Sequence, residues 1–214
     1  MSDMNMQLVR EFFELNLFHV LTHWRHVDFP RAAEPGYLLF VEHTNPEPGR
    51  DLDFLLRAED VPSLYRAVVE VRAWHGDRFY PSVVENNPVL GHVAAEETRT
   101  LAQSVFGSPD FTSILIISEL PTSPLPRAKS LDLLRQLGIG HVIEFPTILQ
   151  DILGRLSAHG NYAPSQTLQT LRLLKRYNFI RRQQLEFAFP LEAPVVSART
   201  VVQTEVLPED SDGD

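Results

Sequence analysis

Two carboxylates stand in stretches that otherwise read as buried strands. Asp53 lies between Leu52 and Phe54, and Glu70 follows Ala67-Val68-Val69 and precedes Val71 and Arg72. A lone charge in an apolar core is costly unless it is paired or bound to a metal. On a strand, Glu70 and Arg72 share a face because successive side chains alternate. Two carboxylates projecting inward from neighbouring strands repel each other. A divalent cation relieves that repulsion, and oxygen ligands suit Mg²⁺ or Mn²⁺. The Val71 carbonyl, lying between acid and base, offers a further ligand. Such a site suits phosphodiester hydrolysis: the metal polarises the phosphate and activates water, while Arg72 balances developing charge.

Each residue also has a plainer reading. Asp53 is then a solvated strand-end residue beside Asp51, and Glu70 a structural partner of Arg72 or Arg66. Glu14 and Glu11 are candidates for an acid contributed by the first helix, with a solvated helix face as the alternative for Glu14. His75, beside Trp74, is placed to shuttle protons or simply to sit on the surface. His19, His23 and His26 lack acidic partners at metal spacing and read as the polar side of a strand. Arg172, Lys175, Arg176, Arg181 and Arg182 form a basic stretch that suits nucleic-acid phosphates or an ordinary charged helical face. No G-x-S-x-G, Walker A or G-x-G-x-x-G sequence is present, which sets those chemistries aside.

The elements that must position these residues follow from periodicity. Residues 4–17 carry apolar positions at helical spacing, with Ser2 or Asp3 as cap. "FHVLTHWRHV" alternates as a strand with one polar face, and "YLLFVEHT" reads as a second strand. "LDFLLRA" reads as a strand or its continuation, and "LYRAVVEVRAW" as a β-branched buried strand. "HGDRFYPSVVENNPVLG" reads as a loop. "AAEETRTLAQSVFG" is a helix stopped by Gly107, and "FTSILIISEL" is an interior strand. A helix over "AKSLDLLRQLGIG", a short strand "HVIEF" and two helices follow, the last capped by Ser165. The order predicts an α/β protein with a central mixed sheet flanked by helices.

These residues resemble the PD-(D/E)xK nuclease superfamily, which has a restriction-endonuclease-like fold. The matching positions are Asp53 in "DLDFLL" and Glu70-Val71-Arg72 in "VVEVRAW", with arginine where the family has lysine and leucine before the motif aspartate. The element order from residue 4 to about 145 is similar to that superfamily's core of helix, three strands, helix and strand. The resemblance implies metal-ligating acids at Asp53 and Glu70, a charge-stabilising role for Arg72, and a Mg²⁺-dependent endonuclease acting on DNA. Arginine keeps its proton at any working pH, so it holds a phosphate but does not serve as a base. The alternative is a nuclease-fold protein without cleavage, serving in nucleic-acid binding or protein assembly. The expected organisation is a core over 1–145, a helical extension over 146–190, and an extended arm with an acidic tail over 191–214.

Composition sets the outer bounds. The 214 residues are 43% hydrophobic, enough for one good core, and contain no cysteine, which removes disulfides and thiolate chemistry. No run of about 18 apolar residues is present, so no membrane span is expected. The opening Met1-Ser2-Asp3-Met4 lacks the pattern of a secretory signal, and a cytoplasmic location is expected. The net charge of −9 weighs against passive nucleic-acid binding, but five of the acids lie between Glu205 and Asp214. A DNA groove, a homodimer or a protein partner all remain open at this level.

Overall fold

A computed structural model describes residues 3–22, 38–47 and 51–180. The helix α1 (Asp3–Leu15) buries Val9, Phe12 and Phe13 completely along one face. Asn16 closes it, donating its side-chain amide to the Phe12 carbonyl at 2.9 Å, and Leu17 turns the chain at a φ of 65°. Five strands follow: β1 (Phe18–Thr22), β2 (Leu38–His43), β3 (Arg66–Arg72), β4 (Thr112–Ile117) and β5 (His141–Glu144). They form an open mixed sheet in the order β1-β2-β3-β4-β5. The first two pairings are antiparallel and the last two parallel.

Parallel neighbours need crossover connections, and helices supply them. Between β3 and β4 the chain forms α2 (Pro81–Glu85), a 3-10 turn over Pro88–Ala94, and α3 (Glu96–Phe106). Between β4 and β5 it forms α4 (Pro124–Gln136). The stretch read as a loop from residue 75 to 91 therefore holds helical turns. The prolines that suggested a loop instead start them, because their fixed φ suits a first turn. Gly107 ends α3 in the left-handed region, as expected. After β5 come α5 (Phe145–Arg155) and α6 (Gln166–Arg176), and Ser165 caps α6 by accepting from the Leu168 amide at 3.1 Å.

Alternation along the strands sorts the core into two layers. Ala67, Val69, Val71, Ile114, Ile116 and Ile143 pack against α1, α5 and Leu168 of α6. Val68, Leu115, Ile117 and Val142 pack against the 3-10 turn, α3 and α4 on the other face. Both faces of β4 are covered, which explains its continuous apolar run. The C-terminal helices thus complete the same core as the sheet. No helix among the described residues is long and apolar enough to cross a membrane. The arm and acidic tail expected over 191–214 lie outside the described residues, as do residues 181–190 of the helical extension.

The segment "LDFLLRA" corrects one expectation. It is not inserted beside β3. Leu55 makes a single parallel bridge to Val142, so the segment lies outside β5 at the far edge of the sheet. Phe54 accepts from the Val142 amide at 2.8 Å, and the Leu56 amide donates to the Val142 carbonyl at 2.9 Å. The apolar anchors Leu56, Val61 and Leu64 sink into the α1–α5 layer and hold the connection there.

Candidate functional site

Glu70 faces the layer that holds Val68, because the two are two residues apart on β3. Its register partners are Leu38 on β2 and Leu115 on β4, both buried, and its own exposure is 0%. Arg72 reaches back along the same face, donating from Nε to Oε1 at 2.8 Å, with Nη2 in ion-pair contact with the same oxygen at 2.6 Å. The second oxygen, Oε2, lies 3.1 Å from Nδ1 of His92, which descends from the 3-10 turn. A carboxylate only accepts, so Nδ1 carries the proton and Nε2 is the outer nitrogen. The plainer sequence reading, a Glu70–Arg72 pair, describes this contact; Arg66 instead pairs with Glu42 at 2.6 Å.

His92 links the buried acid to solvent, its side chain being 35% exposed. Its hydrogen bond to Glu70 raises its pKa above the usual 6.5, and the charges of Glu70 and Glu97 add to this. Partial burial and the Arg72 charge work the other way. The arrangement is a buried acid held by two cationic groups when His92 is protonated and by one when it is not. That is a strut with a titratable end.

Asp53 does not join it. The residue is exposed, its backbone carbonyl takes the Nδ1 of His141 at 3.0 Å, and β5 and β4 stand between it and β3. Three strand spacings separate the backbones by about 14 Å. The expectation that the two carboxylates sit on neighbouring strands within one ion's reach is therefore corrected. The physical reason is the route of the β2–β3 connection around the far edge. Val71 is fully buried in register with Ile116. Both oxygens of Glu70 are already engaged, Oε1 by the Arg72 guanidinium and Oε2 by the His92 imidazole. Among the described residues, no group of three or more His, Cys, Asp or Glu is placed to hold a metal ion.

The first-helix acids lie across the sheet from Glu70, on α1. Glu14 is an exposed partner of Arg10 at 3.0 Å. Glu11 is buried and accepts from the Ser165 hydroxyl at 2.6 Å and from Gln7 Nε2 at 2.7 Å, tying α1 to the start of α6. On α6, Lys175 donates to the Leu153 carbonyl at 2.6 Å and to that of Leu156, which satisfies the end of α5. It is committed inward and does not form a phosphate-facing row with Arg172, which is half-buried, and exposed Arg176. His19 projects outward from β1 as a polar-side residue. His23, His26, Arg181 and Arg182 lie outside the described residues.

A different set of polar residues gathers past the carboxyl ends of the parallel strands. A cleft of about 390 Å³ is lined by residues following β3 (His75, Asp77 and Arg78), by Ser118 and Glu119 after β4, and by Phe145 after β5. Backbone bonds fasten these turns together: the Phe79 amide to the Glu119 carbonyl at 2.8 Å, and the Phe145 amide to the Ser118 carbonyl at 3.1 Å. The Ser118 hydroxyl donates to the Asp77 carbonyl at 3.0 Å. Arg78 donates from Nε to Glu119 at 3.0 Å and from Nη1 to Thr122 at 3.3 Å. His75 pairs Nε2 with Asn5 Oδ1 at 3.2 Å and sets its ring 4.8 Å from that of Phe145. Of these, only His75 stands out from sequence. The polar runs "HGDR" and "SE", each placed just after an apolar strand, were the available signal. His92 had none, because its partner is 22 residues away. Comparison with protein-family models, curated proteins and solved structures returns no match for this chain.

Proposed function

We propose that this chain is a binding module that works without a metal centre at Asp53 and Glu70. The observation that carries the reading is the state of Glu70: fully buried, with one oxygen held by Arg72 and the other by His92. An acid so engaged stiffens the sheet; freeing it for a metal would strand Arg72 in the core. The ligand surface is then the cleft past the carboxyl ends of β3, β4 and β5, where turns following all three strands bring polar groups together beside an apolar wall. A nucleic-acid ligand has less support, since Lys175 is spent on α5.

Cleavage stays as a second reading on one observation, the succession of α1, three antiparallel strands, helices and a parallel β4, an α/β mixed sheet compatible with the class that the resemblance implies. One experiment separates the two. Wild type and Glu70→Gln are incubated with plasmid and with single-stranded oligonucleotides in Mg²⁺ or Mn²⁺. Thermal scans run alongside with and without the ions. The binding reading expects no cleavage and the same melting temperature in both scans. Metal-dependent cleavage by wild type that Glu70→Gln abolishes would overturn it.

A further inference from the structure

We infer that the carboxyl-end cleft binds a small zwitterion of the α-amino-acid class, with its ammonium on Asp77 and its carboxylate on Arg78. This rests on the binding reading above and goes beyond it by naming the ligand. Glu119 already neutralises Arg78 through Nε, which leaves Asp77 as the uncompensated charge on the cleft wall. Among the described residues nothing pairs with the Asp77 carboxylate, although its own backbone carbonyl is fixed by Ser118. A lone carboxylate on the wall of a cleft selects a cationic group, and a primary ammonium is the compact form that fits beside it.

The guanidinium supplies the second contact. Arg78 spends Nε on Glu119 and Nη1 on Thr122, while among the described residues its Nη2 makes no hydrogen bond, and the residue lines the cleft. A ligand carboxylate there makes a charge-assisted hydrogen bond while Glu119 keeps the fork oriented. Phe145, Pro146 and Leu149 form the apolar side of the same space, where a ligand side chain packs. Positive and negative groups on adjacent residues, with an apolar wall, match an amine, a carboxylate and a side chain carried on one carbon. The volume suits a small ligand.

The test is binding of the proteinogenic amino acids to the full chain, by calorimetry and by amide chemical-shift mapping. Two control series lack either the carboxylate or the amine. The expected result is saturable binding by amino acids with apolar side chains, with shifts centred on Gly76, Asp77 and Glu119. Both control series should bind about tenfold more weakly or worse, and Asp77→Asn should lose about tenfold with an unchanged melting temperature. Arg78→Met should weaken amino acids but not the carboxylate-free amines. No saturable binding by any amino acid, or binding that Asp77→Asn leaves intact, overturns the inference. Equal binding by carboxylate-free amines overturns the assigned class. These failures are distinct from that of the binding reading, which fails only if cleavage is observed.

Discussion

Removing Arg72 alone should be far more damaging than removing Arg72 and Glu70 together. Arg72→Met leaves Glu70 at 0% exposure among Leu38, Leu115 and the interior of the sheet. Breaking a buried pair in this way typically costs about 3–5 kcal/mol, because the survivor keeps its desolvation penalty. For a chain of this size that corresponds to a fall of about 6–20 °C in melting temperature. Glu70→Leu alone strands Arg72, 3% exposed, and should cost a similar amount. In the double variant both charges are gone and the strand face becomes apolar, so stability should return to within about 1–2 kcal/mol of wild type. Urea unfolding of the four proteins gives the coupling directly. His92 adds a pH signature. Its folded pKa is raised, so the stability it contributes is fully present below 6.5 and is lost as pH rises through the higher folded value. Arg72 opposes that rise, so Arg72→Met should let His92 hold its proton more tightly and make this variant's deficit smaller at about pH 5.5 than at about pH 8. Additive single losses in the double variant, or an Arg72→Met deficit that does not change with pH, would refute the strut.

Three further outcomes follow from single contacts. Asp53→Asn should change stability by under about 0.5 kcal/mol and leave the response to divalent ions as in wild type, since the residue is exposed at the sheet edge; differential scanning fluorimetry reads both. Ser165→Ala should cost about 2–4 kcal/mol in urea unfolding, with Ser165→Thr recovering much of it. The cap to Leu168 accounts for about 1 kcal/mol, and Glu11 also loses its buried donor. Gly140→Ala should cost about 1–3 kcal/mol by the same measurement, because a β-carbon there collides with Thr112 Oγ1 and sits 2.9 Å from the Ser113 carbonyl.

Local chemistry made much of this protein legible from its residues. The β-branched run of β3, the doubly covered β4, the glycine stop of α3 and the serine cap of α6 each depend on dihedral preferences and partners within a few positions. The shared face of Glu70 and Arg72 belongs to the same class, since it needs only the two-residue period of a strand. Strand order is different, because it depends on how whole layers bury their apolar faces. The chain between β2 and β3 travels to the outer edge of β5, where Leu56, Val61 and Leu64 find their pocket, and this carries Asp53 away from Glu70. The same global packing brings His92 onto Glu70, turns Lys175 toward the end of α5, and collects Asp77, Arg78 and Glu119 in one cleft. The sequence placed a charge in the core and its partner two residues away; only the folded layers decided which other groups could reach it, because those distances are set across the sheet rather than along the chain.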